Sequence, residues 1–186
     1  MLSTDKKGVV IKRRDNCGYL REIYKKLIDM IMERTLKWEM YDYLCEAVNT
    51  LVSGNVPLEK LIVTKSIKSS YKAKNLPHVC VANKMRERGL YVTSGTRIRY
   101  IFLKTDNAKD PQYLRAESPD YYLEHKDTLE IDYIYYLEKQ LVNPINEVLE
   151  VKFKKAKIMT NLLKLLKKGD IKTADEYFKP KFEIND

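Results

Sequence analysis

Apolar residues recur at helical spacing through two consecutive blocks, and the punctuation around those blocks leaves little choice of fold. Leu20, Ile23, Tyr24, Leu27, Ile28, Ile31 and Met32 keep a period near 3.6, with Lys25, Lys26, Asp29, Glu33 and Arg34 on the other face. Asp15 or Asn16 is placed to cap the start. Trp38, Tyr41, Leu44, Cys45, Val48, Leu51 and Val52 form a second stripe, with Trp38 expected as a core anchor. Ser53-Gly54-Asn55 then supplies a stop and Pro57 an exit. The spacing predicts two antiparallel helices joined by a short link.

Three short stretches read differently. Lys7-Gly-Val-Val-Ile-Lys12 and Leu61-Ile62-Val63 are β-branched runs suited to strands. In Gly95-Thr-Arg-Ile-Arg-Tyr-Ile-Phe-Leu-Lys104, strand alternation puts Arg97 and Arg99 on one face and Ile98, Tyr100 and Phe102 on the other. This strand can pair with Leu61–Val63. Between the two, Pro77 opens a helix and Gly89 closes it. The fold class that follows is α+β, mainly helical, with a small antiparallel sheet.

Thr105 to Tyr113 is polar and reads as a loop. Ala116-Glu-Ser-Pro-Asp-Tyr-Tyr-Leu-Glu-His reads as a short capped helix or turn, with Ser118 or Asp120 near its start. A long amphipathic helix begins at Asp132 and carries Ile134, Leu137, Leu141, Ile145, Val148 and Leu149, with Pro144 inside to kink it. A Lys-rich amphipathic helix with Ile158, Leu162, Leu163, Leu165 and Leu166 ends at Gly169 and reads as a solvated tail. A last short helix around Ala174–Phe178 is expected to stop before Pro180.

The 186 residues suit one domain, or one with a small appendage. No run of about 18 apolar residues is present, and the start Met1-Leu-Ser-Thr-Asp-Lys-Lys has no apolar segment of a secretory signal. An intracellular location is the default expectation, with no membrane partner. Cys17, Cys45 and Cys80 lie far apart without a paired motif, and with His78 and His125 encode neither a zinc site nor a disulfide framework.

A catalytic constellation does not emerge. The acidic residues form no recognisable metal or acid/base group, and Glu117, Asp120 and Glu124 are explained by capping and surface pairing. There is no phosphate-cradling glycine loop and no nucleophile motif. What remains is charge, +9 formally, which favours polyanionic partners. Lys65, Lys68, Lys72 and Lys74 crowd one loop with Tyr71 and several hydroxyls, just before His78. Lysines so placed neutralise phosphates without reading sequence. His78 fits a residue that orders the loop and contacts phosphate.

Several motifs, in order, resemble the C-terminal part of family B DNA polymerases, nearest the eukaryotic delta-type enzymes and those of large DNA viruses. They are Lys12-Arg-Arg-Asp-Asn-Cys17, Val56-Pro-Leu-Glu-Lys-Leu-Ile-Val-Thr-Lys65, Tyr71-Lys72, Pro77-His-Val79, Arg88-Gly89 and Gly95-Thr-Arg-Ile-Arg-Tyr-Ile101. Glu117-Ser-Pro-Asp-Tyr-Tyr122 and Asp132-Tyr-Ile-Tyr-Tyr-Leu-Glu-Lys-Gln-Leu-Val-Asn-Pro144 continue the match.

That resemblance implies the end of the palm and its junction over residues 1–14, a thumb over 15–150 and a basic helical tail over 151–186. It implies a part of a DNA-directed DNA polymerase that holds the primer–template duplex through backbone contacts. Lys12, Arg13 and Arg14 would lie at the junction. Thr64, Lys65, Tyr71, Lys72, Lys74 and His78 would grip the duplex; Lys68 of the same loop, and Arg97 and Arg99 of the adjoining basic strand face, join them as DNA-binding candidates by their charge and position in the sequence. Palm motifs of the Tyr-Gly-Asp-Thr-Asp-Ser type do not occur in this sequence, so the chain alone is expected to be inactive. The Mg2+ of catalysis would be held by a palm, and the partners would be duplex DNA and the remainder of the polymerase. The alternatives are a stand-alone nucleic-acid-binding protein and a polymerase-docking protein with a similar fold.

Overall fold

The structure is a computed structural model that describes residues 11–154 and 157–182. The chain divides into two compact units. One combines the described residues 11–13, Tyr19–Val56 and the described residues from Tyr133 onward; the other combines Arg14–Gly18 with Pro57–Asp132.

The first unit is helical. Helix α1 (Gly18–Met32) and helix α2 (Lys37–Val52) bury the expected stripes, Leu20, Ile23 and Leu27 facing the core from α1 and Leu44, Cys45, Val48 and Leu51 from α2. The hydroxyl of Tyr19, at the start of α1, donates to the Ala47 carbonyl late in α2 at 2.6 Å, as antiparallel helices require. Because α1 begins at Gly18, neither Asp15 nor Asn16 is the residue immediately before it. Two stripe ends differ from expectation. Met30 and Met40 take core positions, whereas Met32 and Trp38 are 78% and 50% exposed. Both lie beside the largely exposed link Glu33–Leu36, past the last covered turn of their helices. Asn55 N–H bonds to the Thr50 carbonyl and Gly54 adopts φ +79°, which ends α2 at the predicted stop.

The long helix predicted from Asp132 forms with one interruption. Tyr133–Tyr136 is α-helical, Leu137–Leu141 is a π turn, and Val142–Phe153 is α-helical again. Pro144 lacks the N–H that would bond to the Gln140 carbonyl, and the widened turn accommodates that loss. The segment Ile158–Lys168 packs on Val142–Phe153 and ends at Gly169 with φ +76°. It is therefore docked, with Ile158, Met159, Leu162 and Leu163 buried, rather than a solvated tail. The last helix, Asp175–Phe182, runs through Pro180 instead of stopping before it. Phe178 is fully buried, 5.4 Å from the Tyr41 ring, and anchors this helix to α2.

The second unit holds the sheet. Strand β1 (Val63–Ser66) pairs antiparallel with β2 (Arg97–Phe102), and β2 pairs antiparallel with β3 (Ala116–Glu117), in the order β1-β2-β3. The helix Pro77–Glu87 packs across β2, starting at Pro77 and closing at Gly89 (φ +84°) as the punctuation predicts. Short helices cover Gln112–Arg115 and Pro119–Glu124. The strand expected over Lys7–Lys12 lies outside the described residues except for Ile11 and Lys12, which are helical.

Candidate nucleic-acid interface

The register of β1 and β2 decides which of the predicted binding residues share a surface. Thr64 stands opposite Arg99, and Ser66 opposite Arg97. Strand alternation puts these side chains on one face, with Arg97 and Arg99 exposed. On the outer side of β1, Thr64 N–H donates to the Arg14 carbonyl at 2.9 Å. Arg14, Thr64 and Arg99 thus form a row across the sheet. Lys65 stands opposite Ile98 and belongs to the other face.

Beyond β1 the chain follows β2 for one more step, through Ile67 N–H to the Thr96 carbonyl and Gly95 N–H to the Ile67 carbonyl. Buried Ile67 anchors the start of the lysine loop. The Tyr71 hydroxyl then closes the loop. It accepts Lys68 N–H at 2.9 Å, lies 3.2 Å from the Ser66 carbonyl and 2.9 Å from Nε2 of His78. One hydrogen per bond requires Tyr71 to donate to Ser66 and His78 Nε2–H to donate to Tyr71. His78 is 1% exposed. Burial, and secondarily the charge of Lys65, holds its imidazole below the usual range, so the neutral ring is favoured, as the tautomer that carries its hydrogen on Nε2. The structure therefore shows His78 ordering the loop from beneath, with its ring withdrawn from solvent.

Lys68, Lys72 and Lys74 are exposed on this loop, as is Lys65 at its root. Among the described residues, none of the four, nor Arg97, forms an ion pair. Arg99 does, with Glu59 at 3.1 Å, but both side chains are largely solvated, which makes the pair weak. Lys12 and Arg13 belong to the other unit and are exposed.

Glu117 is the residue whose position was least expected. Instead of pairing at the surface it is 6% exposed. Arg88 grips both its oxygens at 2.8 and 3.1 Å, Ser118 N–H donates at 2.9 Å and Lys84 lies at 3.4 Å. Burial alone would raise its pKa, but Arg88, Ser118 N–H and Lys84 together hold the carboxyl below the usual range. The Arg88 guanidinium also sits 3.4 Å from the Tyr121 ring centroid. These contacts fasten the helix Pro77–Glu87, and with it His78, to the sheet.

Chemistry at a cleft has little support. A cleft of about 670 Å³ in the first unit is lined by Asp42, Cys45, Asn49, Lys172 and Asp175, among others. Its Cys45 thiol donates to Asp175 at 2.7 Å, and burial followed by that bond pushes it up to about 12, too high for a thiolate nucleophile at neutral pH. Among the described residues no group of three or more His, Cys, Asp or Glu side chains could hold a metal ion. No helix among them is long and apolar enough to cross a membrane.

The family model for DNA polymerase family B matches residues 2–152. The DNA polymerase delta catalytic subunit of Candida albicans is 33% identical over 147 residues, covering 77% of this chain and 14% of that protein. A DNA polymerase of Acanthamoeba polyphaga mimivirus is 31% identical over 152 residues, covering 77% of this chain and 9% of that protein. Among solved structures, the family B DNA polymerase of the hyperthermophilic archaeon Pyrobaculum calidifontis aligns with a TM-score of 0.59 at 26% identity, over 75% of this chain and 18% of that one. The chain thus spans less than a fifth of the length of these relatives.

Proposed function

The chain belongs to the family B DNA polymerases, and we propose that it serves as the thumb of such an enzyme, holding primer–template duplex during DNA replication. The observation that carries this reading is the lysine loop. Its cations are free of acidic partners among the described residues, while Tyr71 and His78 hold its backbone in one shape. A preformed loop gives up little freedom when it meets phosphates, so more of the electrostatic attraction remains as affinity.

In this reading Lys68, Lys72 and Lys74 neutralise phosphates along one strand of the duplex. Arg97 and Arg99, with the hydroxyls of Thr64 and Ser66, offer the adjoining sheet face. Arg99 exchanges its solvated pair with Glu59 for a phosphate. Lys65 contributes from the opposite face, and Lys12, Arg13 and Arg14 from the chain leading into the sheet. Contacts of this kind set register and orientation but carry no sequence information. Processivity follows, because a duplex held by its backbone can slide while the primer end stays near the catalytic centre. Nucleotidyl transfer itself, with its divalent metals, would be performed by palm residues of the enzyme.

The test is a paired variant. Lys72→Ala with Lys74→Ala should weaken binding of a short duplex and reduce the slope of log K against log salt by about two, at ~0.9 for each phosphate that is no longer neutralised. Unchanged binding, with the fold intact by circular dichroism, would remove the loop from the interface.

A further inference from the structure

We infer that the helix Ile158–Lys168 carries a second binding face for duplex nucleic acid, directed at the phosphodiester backbone and formed by Lys157, Lys164 and Lys168. This rests on the reading of the chain as a duplex binder, and places an interaction outside residues 2–152, the part that the family model matches.

The sequence from Val151 to Gly169 contains seven lysines and no acidic residue. Two of them are committed elsewhere: Lys152 bonds to the Thr35 carbonyl, and Lys167 pairs with Glu138 at 2.9 Å. Lys157, Lys164 and Lys168 are exposed and, among the described residues, without an ion pair. Their spacing of seven and four places them on one side of the helix. From the first to the last the rise is about 16 Å, which spans about five base pairs of a duplex at ~3.4 Å each.

Three further observations select the ligand. The helix is held in a fixed rotation, because Asn146, itself 8% exposed, accepts Met159 N–H at 2.8 Å and donates to the Thr160 hydroxyl at 2.9 Å. Its apolar face is already used, with Met159 and Leu162 fully buried against Val142–Phe153. A basic amphipathic helix binds lipid by inserting that apolar face, and here it is not available. The lysine face offers no aromatic or large aliphatic anchor between its cations, which a protein interface would need at its centre. Cations on a rigid polar face match a phosphate backbone.

The experiment uses the full chain and a duplex of about 20 base pairs, with binding measured across a salt series. Lys157→Ala, Lys164→Ala and Lys168→Ala together should lower affinity at low salt at least tenfold and reduce the salt slope by two to three, about 0.9 for each phosphate. A control carrying Lys25→Ala, Lys26→Ala and Lys126→Ala removes the same charge from exposed positions elsewhere and should change far less. Equal effects in the two triple variants, or an unchanged slope in the first, would overturn the inference. So would a first variant that no longer binds phosphatidylserine vesicles while keeping the duplex. The Lys72→Ala, Lys74→Ala pair separates this from the thumb reading: if that pair releases duplex and the Lys157 triple does not, the loop stands and the second face falls.

Discussion

The Tyr71 hydroxyl lies 2.9 Å from Nε2 of His78, and this bond joins the most basic loop of the chain to a helix buried against the sheet. The rings meet edge to face at 5.1 Å between centroids, so the tyrosine is fixed in direction as well as position. Tyr71→Phe keeps that ring packing and removes the hydroxyl from all of its partners. We expect a stability loss of about 1–2 kcal/mol and faster amide exchange at Lys68, with duplex affinity reduced although every cation is retained. Exchange at Lys68 equal to that of the parent protein would show that the hydroxyl does not order the loop.

Burial of the same histidine makes the fold sensitive to acid. The His78 pKa is lowered from 6.5 on folding, by burial first and Lys65 second. The unfolded chain therefore binds the proton more readily. The stabilisation is fully present above pH 6.5 and is lost as pH falls from there through the folded value. Urea denaturation of the parent and of His78→Gln between pH 8 and 5 measures it. The parent should lose stability over that interval by more than the variant does; parallel curves would contradict the assignment.

Glu117 should behave as a buried clamp. Glu117→Gln leaves the Arg88 guanidinium without its counter-charge beneath Tyr121 and is expected to cost about 2–3 kcal/mol, less than a fully buried pair because Arg88 is part exposed. The carboxyl pKa is lowered from 4.5, so its stabilisation is present above pH 4.5 and disappears as pH falls through the folded value. Thermal unfolding of the two proteins should therefore differ most near neutral pH and converge in acid. A constant difference across pH would assign the effect to packing.

Phe178 tests whether the C-terminal helix belongs to the core. It is fully buried beside Tyr41, and Asn49 and Cys45 of α2 bond to the same segment through Ala174 and Asp175. Phe178→Ala should cost about 3–5 kcal/mol in urea denaturation. A change below about 1 kcal/mol would mean that this helix adds little to the first unit.

Much of the fold was legible because its signals are local. Leu20, Ile23 and Leu27 define a buried face by spacing alone, and Pro77 and Gly89 bound their helix with the residue types that such positions need. The alternation of Arg97 and Arg99 with Ile98 and Tyr100 revealed the exposed face of β2. The features that were not legible depend on neighbours distant in sequence. Glu117 becomes buried only because Arg88 arrives from 29 residues away. Trp38 looks like a core residue until the end of its helix proves uncovered. The coincidence of Tyr71, the lysines and His78 was visible in the sequence, but the bond between tyrosine and histidine needed the helix to be set under the loop. That Thr64 and Lys65 face opposite ways follows from strand period, yet which of them joins Arg99 depends on the register.

Holding duplex DNA by its backbone is the central property proposed for this chain. Binding of the 186-residue chain to two duplexes of unrelated sequence, measured from about 50 to 200 mM salt, tests it most directly. The affinities should agree between the two sequences within a few-fold and fall steeply and linearly on a log–log salt plot. Binding that is insensitive to salt, or that prefers one sequence by a hundredfold or more, on the order of the discrimination that specific readers reach, would contradict it.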